Sequence, residues 1–135
     1  MRLALLAALA FIVFPARADI GEGSWEMETS TSIPGTAVGT TTSKQTQCLS
    51  AEDARDPSKL FGSPGAGCQF SNRRDDGSSY RFEISCSGAA AMNGSGEMRY
   101  SRDALEGEIV VRVASGGQTM ETRSRIKARR LGPCR

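Results

Sequence analysis

Polar and apolar positions along this chain alternate with a period of two and seldom with the three-to-four spacing of a helix face. Ser24 to Ile33 alternates in this way and predicts a strand ending at the Pro34-Gly35 turn. Thr40 to Leu49 is rich in β-branched threonine and predicts a second strand. Ser50-Ala51-Glu52-Asp53 reads as a helix start, with Ser50 as cap answered by Asp53, and Pro57 should end that short helix. Lys59 to Gly67 reads as loop. Beyond it, Cys68–Arg73 and Tyr80–Cys86 flank the turn-prone Asp75-Asp76-Gly77-Ser78. Gly94–Ser101 and Leu105–Ser115 form a further hairpin, and Gly116-Gly117 turns the chain into Gln118–Leu131. The sum is an all-β antiparallel meander of about seven or eight strands with one short helix. It should form a sandwich or a partly closed barrel.

The turns also set registers. Residues equidistant from Gly116-Gly117 face each other, so Glu106 meets Lys127, Glu108 meets Arg125 and Arg112 meets Glu121. These pairs share the outward face, while Ile109, Val111, Val113, Met120 and Ile126 point inward. Arg99 should likewise face Glu106, and Tyr100 face Leu105. The basic stretch that closes the chain, Arg123 to Arg135, is therefore largely a strand with acidic partners. Arg123, Arg129, Arg130 and Arg135 are left over. Arg129 and Arg130 are the candidate contacts for an anionic partner.

The first 18 residues change the charge. Arg2 precedes an apolar run from Leu3 to Phe14, and Ala16-Arg17-Ala18 offers a cleavage site. This is the pattern of a secretory signal peptide, too short to span a bilayer. It predicts cleavage near Ala18, a single β domain over 19–135, and a soluble periplasmic or secreted protein. Arg2 and Arg17 would leave, so 17 basic residues become 15 against 15 acidic ones. A neutral chain gives no electrostatic case for nucleic acid or a membrane surface.

Export frames the four cysteines, Cys48, Cys68, Cys86 and Cys134, as two disulfides. A zinc site fits poorly, because no pair has knuckle spacing and histidine is absent. Cys68 and Cys86 are equidistant from Gly77 and would point the same way, which favours Cys68–Cys86 with Cys48–Cys134. The alternative set is Cys48–Cys68 with Cys86–Cys134. Without histidine there is no Ser–His–Asp or Cys–His arrangement. The acidic doublets Asp75-Asp76 and Glu52-Asp53 are explained by turn and helix-start chemistry, and no glycine-rich phosphate loop precedes a helix. The expectation is a non-enzyme with no metal and no cofactor.

Several segments together carry a resemblance. Gly23-Ser24-Trp25 follows the leader; Gln47-Cys48-Leu49 precedes the acidic short helix; Gly67-Cys68, a strand ending at Cys86, and "GSGEMRYS" follow; "RRLGPC" runs from Arg129 to Cys134. The chain resembles the bacterial domain-of-unknown-function family numbered 3617, small exported proteins mostly of Gram-negative bacteria. The resemblance covers the mature chain. It implies periplasmic residence and scaffold cysteines, and it brings no catalytic residues. Family members often carry an aromatic, commonly Trp, in the strand before the third cysteine, where this chain has Tyr80 and Phe82. The Gly-x-Trp start is also similar to that of lipocalins, in which a Trp closes one end of a ligand-holding barrel. Trp25 is then either a candidate ligand contact above an apolar cavity or a core aromatic of the first strand.

Two readings of function follow. One is a small binding module for a hydrophobic or envelope-derived ligand. The other is a structural or interaction protein of the cell envelope that binds another protein.

Overall fold

The computed structural model describes residues 19–61, 66–88 and 91–135; the expected leader lies outside them. Seven strands form one antiparallel sheet. They are β1 Gly23–Ser32, β2 Thr41–Leu49, β3 Cys68–Asp75, β4 Ser79–Cys86, β5 Ala91–Tyr100, β6 Ala104–Ser115 and β7 Gln118–Gly132. Their order is β2-β1-β7-β6-β5-β4-β3, so the first and last strands pair and the sheet does not close. Among the described residues this is the one sheet, and a two-sheet sandwich is not formed. The expected helix is instead two 3-10 turns, Asp53–Arg55 and Pro57–Phe61. The Ser50 hydroxyl accepts from the Asp53 N–H at 3.1 Å and starts the first turn. Pro57 starts the second turn, where an absent N–H costs nothing.

These turns lie between the two edge strands. Gln47 of β2 donates its side-chain amide to the Leu60 carbonyl at 2.8 Å. Phe61 packs on Phe82 of β4, with ring centroids 5.8 Å apart. The segment therefore plugs the inner face of the curled sheet. Around it gather Trp25, Met27, Leu49, Tyr80, Phe82, Met98, Tyr100, Leu105 and Ile126, all buried, with Leu60 fully so. Burial of each such side chain contributes about 1.5–3 kcal/mol.

Two glycines make room for this packing. Phe82 lies over its register partner Gly96, where a Cβ would come 2.3 Å from the ring. Met98 lies over its partner Gly107, whose Cβ would meet the Met98 sulfur at 2.3 Å. In a pleated sheet a glycine opposite a large side chain lets that side chain lie flat on the strand.

The outer face is charged. Glu106 faces Lys127, Glu108 faces Arg125 and Arg112 faces Glu121, as the Gly116-Gly117 turn requires. Arg99 faces Glu106 and Tyr100 faces Leu105. Among the spare arginines, Arg129 and Arg123 have partners after all. Arg129 pairs with Glu26 of β1 at 3.0 Å, and Arg123 with Glu121 at 2.8 Å. The first is a consequence of β1 lying beside β7.

Candidate functional site

Bonds Cys48–Cys134 and Cys68–Cys86 sit at opposite ends of the sheet. Cys48 lies opposite Ser24, and Ser24 lies opposite Gly132. The Cys48–Cys134 bond therefore crosses β1 as a strap. Cys68 and Cys86 are register partners on β3 and β4.

The family-like segments converge beside the strap. Trp25 is 0% exposed, and its indole N–H donates to the Gly21 carbonyl at 2.8 Å. It faces Arg130 across the β1–β7 ladder. The Arg130 guanidinium donates to the Glu22 carbonyl and lies 3.9 Å from Asp103. Gly23 adopts a φ of +130°, and a Cβ there would meet the Gly132 carbonyl oxygen at 2.3 Å. Gly21 and Gly23 thus let the chain fold tightly against Arg130. Trp25 and Arg130 are brought together, but as scaffold: Trp25 offers no surface to a ligand. Arg129 is on the opposite face, tied to Glu26.

The Asp75-Asp76 doublet is tied into its own turn and to Tyr100. The Asp76 carboxylate accepts from the N–H groups of Ser78 and Ser79 and from both their hydroxyls. Those backbone bonds hold its carboxyl well below the usual carboxylate range. Asp75 accepts from the Tyr100 hydroxyl. Burial, then that bond, pushes the Tyr100 phenol far above its ordinary value. Among the described residues no three potential metal ligands come together.

What remains is the other half of the inner face. There the strands carry Ile84, Met92, Val111 and Val113, all only half-buried, while Phe70 and Ile109 at its border pack against the covered core. Val111 faces Gly94, and Gly94 faces Ile84. Met120, expected to point into a core, is on this face but 54% exposed. Val38, in the β1–β2 connection at the same end, is 62% exposed. Beside them on the same face, β7 and β1 present Thr122, Ser124, Thr29 and Thr31, also half-buried, with Thr122 facing Val111 and Ser124 facing Ile109. The Thr31 and Ser124 hydroxyls are hydrogen-bonded at 2.9 Å. Apolar side chains on β4 to β6 thus adjoin hydroxyls on β7 and β1. A separate concavity of about 760 Å³ is on the outer side. It is lined by Arg74, Arg81, Glu83, Glu97 and Glu108 among others, and its mixed charge does not suit an apolar ligand.

Nothing singled out this open half in the sequence: Ile84, Met92, Val111, Val113 and Met120 alternate with mainly polar or small neighbours in the same way as the covered Trp25, Tyr80, Phe82 and Tyr100.

No helix among the described residues is long and apolar enough to cross a membrane. No curated protein and no solved structure matches this chain. Residues 20–134 match the model of the family described as "Protein of unknown function (DUF3617)", a span that takes in the strap, the arginine cradle and the open inner face alike, and the chain belongs to that family.

Proposed function

We propose that this protein is a non-catalytic binding module of an exported, oxidising compartment, and that it holds an amphiphilic, mainly hydrophobic ligand on the open half of the inner face. The observation that carries this reading is the cluster Ile84, Val111 and Val113, half-buried beside the hydroxyls of β7 and β1. Apolar surface left accessible and contiguous is what a ligand of this class recognises. Two disulfides support the oxidising compartment. The absence of histidine and of free thiols supports a non-catalytic role. The ligand is not under Trp25, because that end is packed.

The test uses a fluorescent fatty acid titrated into the mature protein. Saturable binding should weaken roughly tenfold or more in Val111→Asp, with unchanged circular dichroism. No saturable binding, or binding indifferent to Val111→Asp, defeats the reading. The second reading, an envelope interaction protein acting through its basic end, has less support. Arg129 and Arg130 are already engaged by Glu26, the Glu22 carbonyl and Asp103.

A further inference from the structure

The two edges of the sheet differ. β3 is a poor template for another strand: its register with β4 shifts between Ser71 and Arg74, where Asn72 takes a left-handed φ of 49°. Arg73 folds over the Phe70 ring at 5.1 Å from its centroid, with Asp56 at 4.0 Å. Bulges and charges of this kind block edge-to-edge pairing. β2 has none of these features except one lysine. Its ladder with β1 runs from Thr41 to Leu49 without a shift. Thr41 to Thr46 are all exposed, and the strand holds no proline and no glycine. Lys44 does not guard the edge, because it is drawn back onto Glu28 at 3.1 Å.

The outer face indicates what such a strand would meet. Lys44 faces Glu28, Glu28 faces Lys127, Lys127 faces Glu106 and Glu106 faces Arg99. Sign alternates across five strands, and the row ends on a cation at the free edge. The next place in it calls for an acid. A second copy cannot supply one through the same strand, since β2 contains no Asp or Glu.

We infer that β2 is a docking edge for an extended segment of another protein, which adds as an eighth strand and sets a carboxylate beside Lys44. Backbone ladder bonds would supply affinity and the carboxylate would set the register. The neighbouring positions on β2, Ser43 and Gln45, are small or polar, so the incoming strand needs no large apolar side chain at those places.

The experiment titrates two nine-residue Thr/Val peptides into isotope-labelled mature protein, one with Glu at its centre and one with Lys. Amide shifts should be confined to β2 and the adjoining part of β1. The Glu peptide should bind about fivefold more tightly than the Lys peptide, the scale of one cross-strand charge pair. Lys44→Glu should invert that order, and Lys44→Gln should abolish it. The inference is overturned if neither peptide shifts β2, if both bind equally, or if the shifts map to β3 or the inner face. It is also overturned if the same β2 amides shift with protein concentration alone, since the edge would then belong to a second copy.

Discussion

The inner face of this sheet has two halves made by the same alternation on the same strands, and they differ in what covers them. On one part, the 3-10 segment and the residues before β1 close over Trp25, Phe82 and Met98. At the far end Ile84, Val111 and Val113 stay half-buried and Met120 is exposed. Alternation therefore decides which side chains share a face, and not whether that face becomes a core or a binding surface. A covering segment decides that.

The comparison can be broken or sharpened by substitution. Removing the strap with Cys48→Ser and Cys134→Ser should cost about 4–5 kcal/mol in the chain-entropy account, because it closes a long loop. Removing Cys68–Cys86, with its short loop, should cost about 3 kcal/mol. Urea midpoints of the two double variants decide the order; equal losses would mean that the strap is not the main staple. Trp25→Ala should cost about 3–5 kcal/mol, and Val113→Ala on the open half only about 1 kcal/mol. If the two cost the same, the halves are equally packed and the contrast fails.

Gly96→Ala pushes a methyl into the Phe82 ring and should cost about 1–3 kcal/mol. Combining it with Phe82→Leu should recover part of that loss in a double-mutant cycle. Tyr100→Phe should cost about 1 kcal/mol by freeing Asp75. Because the fold raises the Tyr100 pKa, its contribution is complete below about pH 10 and is lost as the pH climbs through the raised value. Wild type should therefore lose more stability than Tyr100→Phe above that pH, which alkaline denaturant titrations will read. Smallest of all, Glu106→Gln should cost less than about 1 kcal/mol and mostly at low salt.

Local features of this fold were legible, and distant ones were not. Gly116-Gly117 fixes the β6–β7 register because a two-residue turn leaves no freedom. The pairing of Cys68 with Cys86 is subtler. Next to the turn, Asp75 faces Tyr80, which centres the hairpin between Gly77 and Ser78 rather than on Gly77. The bulge at Asn72 shifts the register and restores the Gly77 centre by the time the strands reach the cysteines. The reading from Gly77 thus reaches the right partners through a compensation it did not contain. The β1–β7 pairing has no local signal, since it joins residues about a hundred positions apart. For that reason Arg129 reads as spare in the sequence when Glu26 holds it. Trp25 suggested a ligand for a related reason: nothing in the Gly-x-Trp stretch says that the 3-10 segment returns to cover it.

The strap also has a mechanical meaning. β1 begins and β7 ends at the same end of the sheet, so a pull between Asp19 and Arg135 peels β1 from β7 pair by pair, as a zipper opens. With Cys48 bonded to Cys134, the same load reaches β2, the other neighbour of β1. Both ladders must then open together. Single-molecule pulling should show one high-force event in the oxidised protein and a lower first rupture after reduction. For so small a sheet, one exposed bond would set the tension at which the whole fold gives way.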